Sequence, residues 1–223
     1  MVCSHSKSFD LIIFDCDGVL VDSERVANEV FARVLDEVCG LQFSLDDMFD
    51  TFVGHSRVQC LQKVEAMIGE PPPPELDLRY QRDINDALQQ TVQAIDGIET
   101  VLETLALPYC VASSGSHDKM KMTLGKTGLM RFVEGNVFST SDVERGKPHP
   151  DIYLHAARTM GFADPSRCAV VEDSPIGVTG AVAAGMHVFG FAELMPAARL
   201  HEAGAHHVFH RMHDLPALID PHS

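Results

Sequence analysis

The sequence is short of positive charge, of paired cysteines and of long apolar stretches, and each shortage removes a class of function. Lysine and arginine number 17 against 32 aspartates and glutamates, a formal net charge of −15 at pH 7. Such a surface repels phosphate backbones and anionic membrane surfaces, which disfavours bulk nucleic-acid binding and membrane association. A small anionic substrate stays admissible, because a local cluster of cations overrides the global field. No apolar run approaches the ~20 residues a membrane span needs. Met1 to Asp10 is short and polar, and the apolar run after it ends in acids, so no signal peptide is expected. Cys3, Cys16, Cys39, Cys60, Cys110 and Cys168 form no C-x-x-C pair, and nearly all stand among apolar neighbours. They read as reduced, mostly buried thiols of a cytoplasmic protein.

What is present is an ordinary globular composition, 45% hydrophobic and 22% charged, over 223 residues. That length suits one domain, or one domain with an insertion. Leu11-Ile12-Ile13-Phe14 is a continuous apolar run that stops at Asp15, the pattern of a strand buried on both faces. Similar runs stand at Tyr109–Ala112, Cys168–Val171 and His187–Phe191, with weaker ones at Val137-Phe138 and Val208-Phe209. Helical spacings lie between them, at Ile98, Val101, Leu102 and Leu105, at Ile152, Ala156 and Met160, and over Ile176 to Ala184. Strands alternating with helices predict an α/β fold with a doubly wound parallel sheet and a Rossmann-like core.

The alternation breaks from about Glu24 to about Thr91, where no strand pattern is found. Val26, Val30, Val34 and Val38 mark one helical face, Val58, Leu61, Val64 and Met67 a second, and Ile84, Leu88 and Ile95 a third that extends across the later boundary. Pro71 to Pro74 interrupts them. A helical insert over residues 23–91 is therefore expected inside a core made of 1–22 and 92–223. It is either a decoration or a lid over the carboxyl end of the first strand, where open α/β sheets bind ligands.

Chemistry concentrates at strand ends. Asp15 and Asp17 follow the first strand, with the chain turning at Gly18. A carboxylate pair there suits metal binding, nucleophilic attack and acid–base work. Glu172 and Asp173 follow the strand at Cys168, on the edge a parallel sheet shares with Asp15. Like charges ~4 Å apart repel by about 4 kcal/mol at an effective dielectric near 20, so four clustered carboxylates need a cation. Oxygen ligands favour a hard divalent ion, Mg²⁺ foremost, over zinc. Ser113, Ser114 and Gly115 form a small hydroxyl-rich turn after the strand at Tyr109, suited to an anion or to an ordinary helix entry. Lys147 stands between Gly146 and Pro148 in a stiff loop, able to neutralise a phosphate, while the prolines and Asp151 also open the next helix.

Taken in order, Asp15-Cys16-Asp17-Gly18, Ser113, Lys147 and Glu172-Asp173 resemble the haloacid dehalogenase superfamily of phosphohydrolases, over roughly residues 9 to 192. The insert resembles that superfamily's small helical cap. FDCDGVLVDSE, GKPHPDIYLHAA and VVEDSPIG are similar to the β-phosphoglucomutase-like and phosphosugar phosphatase branch, and the stretch from Cys110 to Met120, with HAA at 155–157 and AGMHVFGF at 184–191, looks most like 6-phosphogluconate phosphatase-type members. The resemblance implies that Asp15 is the nucleophile forming an aspartyl-phosphate. It implies that Asp17 protonates the leaving alcohol and then activates water, and that Ser113 and Lys147 bind the transferring phosphoryl oxygens. Mg²⁺ would be held by Asp15, the Asp17 carbonyl and Asp173, with Glu172 alongside. Gly18 and Ser114 would line the phosphate site. Gly54, His55 and Arg57 resemble the cap's substrate-specificity loop, with Arg57 on a remote anion or simply at an exposed helix start. β-Phosphoglucomutases carry a catalytic histidine where this chain has Ala27, which favours hydrolysis over a mutase. A non-catalytic sugar-phosphate sensor is the alternative of another class. The implied partner is a small phosphorylated metabolite, met by a monomer or weak homodimer. Six histidines, at 201, 206, 207, 210, 213 and 222, fall late, as a solvated face or a second metal site.

Overall fold

A computed structural model describes residues 9–53, 55 and 57–220. The chain divides into two compact units, Met1–Val21 with Ala94–Ser223, and Asp22–Gln93.

The first unit opens with β1 (Leu11–Phe14), whose four residues are all buried. The second unit follows as α1 (Ser23–Cys39), α2 (Leu45–Phe52), α3 (Arg57–Ile68) and α4 (Pro74–Thr91). The chain then re-enters the first unit through α5 (Ile98–Thr104), β2 (Tyr109–Ser113), α6 (His117–Lys126), α7 (Met130–Val133) and β3 (Val137–Ser139). It continues with α8 (Asp151–Thr159), β4 (Cys168–Glu172), α9 (Pro175–Ala183), β5 (His187–Phe191), α10 (Ala197–Glu202), β6 (His207–Phe209) and α11 (Leu215–Ile219). The six strands form one sheet in the order β3-β2-β1-β4-β5-β6, every pair parallel. The predicted doubly wound Rossmann-like fold is thus observed.

The apolar runs form strands because both sheet faces are covered. β4 and β5 are buried at every residue, so neither shows polar alternation. The order reverses between β1 and β4, where Phe14 is in register with Val171. In such sheets the crevice outside the carboxyl ends at the reversal is the ligand site. Two helices that start there are capped by serine: Ser116 accepts from Lys119 N at the start of α6, and Ser174 from Gly177 N at the start of α9.

In the helical unit Asp22 caps α1 and Gly40 closes it in the left-handed conformation. Ser44 and Asp47 form a capping box on α2, and Pro74 occupies the first turn of α4, where its missing N–H costs nothing. Phe31, Phe43, Phe52 and Tyr80 pack edge to face, with ring centroids 5.1–5.6 Å apart. One expected stripe holds only in part. On α3 the buried residues are Cys60 and Val64, while Val58 is 64% exposed and Met67 45%. Steps of three residues each fall about 60° short of a full turn, so Met67 lies about half a turn round from Val58 and the four positions form no single face. The third stripe runs past the helix end as expected: Leu88 on α4 and Ile95 beyond it are both buried, and Leu76 is the other buried residue of α4.

Candidate active site

The carboxyl ends of β1 and β4 bring Asp15, Glu172 and Asp173 together. The Asp15 backbone N–H donates to Val171 O at 3.0 Å, extending the β1–β4 ladder by one residue. Its side chain therefore emerges at the strand-order reversal, and Asp15 is only 6% exposed. Gly18 turns the loop with φ +73°, and a Cβ there would stand 2.0 Å from Asp173 Oδ2. Only glycine both adopts that conformation without strain and leaves room for the carboxylate.

Glu172 is fully buried and fully engaged. Its Oε1 accepts from Lys147 Nζ (2.5 Å) and Tyr153 OH (2.8 Å), and its Oε2 from Ser174 N (3.0 Å) and Ser174 Oγ (2.9 Å). Space for it exists because residue 177 is glycine; a Cβ there would lie 1.9 Å from Glu172 Oε1. Lys147 Nζ also donates to Asp15 Oδ1 at 2.9 Å, so one buried ammonium bridges two buried carboxylates. Burial pushes the Asp15 carboxyl up to about 7, against the pull of Lys147. Burial pulls the Lys147 ammonium down, but Asp15 and Glu172 override it and hold the pKa well above the ordinary value.

Asp15, Glu172 and Asp173 each place an oxygen within 4.8 Å of the others. Among the described residues no other group of three carboxylates, imidazoles or thiols gathers in this way. The donor set is all oxygen, as a hard divalent cation prefers, and a cation there would favour the charged form of Asp15. The residues present therefore fit the group. The four donors on Glu172 make that residue a holder of Lys147 and of the loop after β4.

β2 supplies the opposite wall. Ser113 is buried, and its Oγ accepts from Gly115 N at 3.0 Å. The turn is pinned from β3: Ser139 Oγ donates to Gly115 O (2.8 Å) and Thr140 Oγ1 to Ser114 O (3.2 Å). Ser114 itself is exposed.

An acidic cluster at the switch point of a parallel sheet, with a buried lysine and a serine turn beside it, matches one family along most of the chain. Residues 9–185 fit the haloacid dehalogenase-like hydrolase model. The chain belongs to the haloacid dehalogenase-like hydrolases. It is 30% identical over 183 residues to the 6-phosphogluconate phosphatase of Escherichia coli K12, covering 82% of each chain. It is 33% identical over 215 residues to hexitol phosphatase A of the same organism, covering 94% of each. Among solved structures, a haloacid dehalogenase family hydrolase of Deinococcus radiodurans R1 with bound phosphate and sodium superposes with a TM-score of 0.86 at 31% identity, over 96% of both chains. This chain is accordingly a phosphoric monoester hydrolase of the haloacid dehalogenase-like family.

Two residues of this hydrolase's site escaped sequence reasoning. Lys119 Nζ lies 2.8 and 2.9 Å from the two carboxylate oxygens of Asp17. Burial pulls its ammonium down, but Asp17 outweighs this and the pKa stays above the ordinary lysine value. A signal existed: Lys119 is a cation in the first turn after the Ser116 cap, where the helix dipole disfavours one. Tyr153 is fully buried and donates to Glu172 and to Gly177 O (3.2 Å). In the sequence it stands inside GKPHPDIYLHAA with no role of its own.

In the helical unit Arg57 is held rather than exposed. Its guanidinium lies 4.6 Å from the Phe31 ring centroid and 4.5 Å from that of Tyr80, and its Nε donates to Asp77 Oδ1 at 2.8 Å. Among the described residues its Nη2 and the Nδ1 of half-buried His55 have no hydrogen-bond partner. Gly54 lies outside the described residues. Two of the late histidines bond to backbone: His206 Nδ1 accepts from Val188 N, and His210 Nδ1 lies 2.8 Å from Ala192 O. No described helix is long and apolar enough to cross a membrane.

Proposed function

We propose that this hydrolase is an Mg²⁺-dependent phosphatase of a small phosphorylated sugar or sugar acid, 6-phosphogluconate-like, acting through an aspartyl-phosphate on Asp15. The observation that carries the reading is the buried Asp15 carboxylate, 2.9 Å from Lys147 Nζ and grouped with Glu172 and Asp173 at the strand-order reversal. Two phosphatase relatives whose names specify six-carbon sugar-acid and polyol phosphates support the substrate class. The phosphate and sodium in the Deinococcus structure support a paired anion and cation site.

Asp15, the Asp17 carbonyl and Asp173 would hold Mg²⁺, with Glu172 alongside. When bound, the ion supplies positive charge that lets a dianionic ester approach a carboxylate. The chain's own residues do the rest. Asp15 Oδ attacks phosphorus as the ester P–O bond breaks. Asp17 gives its proton to the departing oxygen, then takes one from the water that opens the aspartyl-phosphate, which regenerates both carboxyl groups. Ser113 and Lys147 hold the phosphoryl oxygens, Gly18 and Ser114 border them, and Gly54, His55 and Arg57 select the rest of the substrate. Phosphoryl transfer depends mainly on positioning and electrostatics, and a pinned turn and a buried lysine provide both.

The test is a phosphate-release screen over phosphosugars and phosphosugar acids, with D15N as control. Release by the wild type alone is the expected result. Isomerised sugar phosphate without free phosphate would make it a mutase. Binding without turnover would make it a sensor.

A further inference from the structure

We infer that Lys119 is a positioning residue that holds the Asp17 carboxyl on the line of the leaving oxygen. The inference rests on the phosphatase reading above and adds to it a residue to which the sequence reading gave no role.

Asp17 lies in the loop three residues past the end of β1, with its side chain partly exposed, and such a carboxyl turns about two single bonds. Lys119 reaches it from the first turn of α6, a separate element 102 residues along the chain. Its ammonium spans both carboxylate oxygens, at 2.8 and 2.9 Å, so the carboxylate's rotation as well as its place is set. The ion pair lies beside the serine turn: a Cβ on Gly115 would stand 3.5 Å from Lys119 Cδ, 3.5 Å from Asp17 Oδ2 and 3.4 Å from Ser113 Oγ. Ser116 accepts the Lys119 backbone N–H at 3.2 Å and anchors the helix start that delivers the side chain.

A carboxyl with two oxygens can keep one on the ammonium while the other passes a proton. In the first step the Asp17 O–H proton goes to the ester oxygen as its bond to phosphorus breaks, and Asp17 is left as the carboxylate. In the second, that carboxylate takes a proton from the attacking water as the Asp15–phosphate bond breaks. Lys119 exchanges no proton and forms no bond to phosphorus. Its effect appears only where a proton must reach the leaving group.

The readout is kcat/KM, which reports steps up to departure of the leaving group, on esters of differing leaving-group basicity. General acid catalysis is worth ~10²–10⁴, and loss of orientation forfeits part of it. K119M is expected to lose roughly 10- to 100-fold on the best alkyl phosphate from the screen. It should lose less than about threefold on p-nitrophenyl phosphate, whose phenolate departs unprotonated. K119R, which can bridge both oxygens, is expected to recover most of the loss and serves as the folded comparison if K119M is unstable. In a D17N background K119M should cost nothing further, the signature of action through that one partner. An equal loss on both esters, no loss on either, or an added loss on top of D17N would overturn the inference while leaving the phosphatase reading intact. A wild-type protein that hydrolyses no ester would overturn the phosphatase reading and this inference together.

Discussion

At the residue scale the hydrolase works by placing charge where water cannot neutralise it. Lys147 and Glu172 are almost wholly buried, and Asp15 nearly so. The Asp15 carboxyl is raised by burial from 3.8 to about 7. A group whose folded pKa lies above its unfolded value contributes most to stability below the unfolded pKa, and that contribution is lost as the pH rises through the folded one. Without divalent cation, the melting temperature of the wild type relative to D15N is therefore expected to fall between about pH 4 and pH 8. Mg²⁺ should raise the wild-type value at neutral pH and leave D15N nearly unchanged, because a ligand stabilises only the protein that binds it. A wild-type advantage that grows with pH in chelator would contradict this. D15N should also remain folded while losing turnover. Tyr153 allows a second check: Y153F removes one donor from a buried carboxylate and is expected to cost ~1.5–3 kcal/mol in urea unfolding.

At the element scale, the loops that leave strands are shaped by single small residues. Gly177, in the first turn of α9, leaves the room Glu172 occupies. G177A should displace Glu172 and with it Lys147, costing ~1–3 kcal/mol as overpacking does and most of the activity. Phosphate release and thermal melting measured on the same preparation would check both. In the helical unit the Arg57 guanidinium links α1, α3 and α4 through Phe31, Tyr80 and Asp77. R57A is expected to cost ~1–2 kcal/mol through the lost stacking. If Arg57 also clamps a distal anion, kcat/KM should fall a further ~10-fold or more on a sugar-acid phosphate and little on p-nitrophenyl phosphate. Equal losses on the two substrates would leave Arg57 with the structural role alone.

At the scale of the whole molecule a chain of net charge −15 must bind an anion. The crevice at the β1–β4 reversal holds the Lys147 ammonium, matched to Asp15 and Glu172, and the Lys119 ammonium, matched to Asp17. The grouped oxygens of Asp15, Glu172 and Asp173 fit the divalent ion of the proposed mechanism. Chelation is expected to abolish phosphate release and Mg²⁺ to restore it. Ca²⁺ should restore little, because its larger coordination shell misplaces the nucleophile. Full activity in chelator would remove the metal from the mechanism.

Much of this was legible without coordinates. Runs such as Leu11–Phe14 and Cys168–Val171 need no partner to announce a strand covered on both faces, because only burial on both sides makes a continuous apolar run favourable. Carboxylates placed straight after two such runs are brought to one edge by parallel pairing, so the gathering of Asp15, Glu172 and Asp173 follows from the strand pattern. Orientation around a helix was less legible: Val58 and Met67 fit a list of apolar positions but point to opposite sides of α3. Pairing between distant elements was not legible at all. Nothing local ties Lys119 to Asp17, or Tyr153 to Glu172, since each contact depends on how helices dock against the sheet. The sequence by itself determined the strands, their common edge and the acids carried there. Only the tertiary structure decided which cations and hydroxyls meet those acids, because a side-chain hydrogen bond needs ångström placement that residue spacing does not encode.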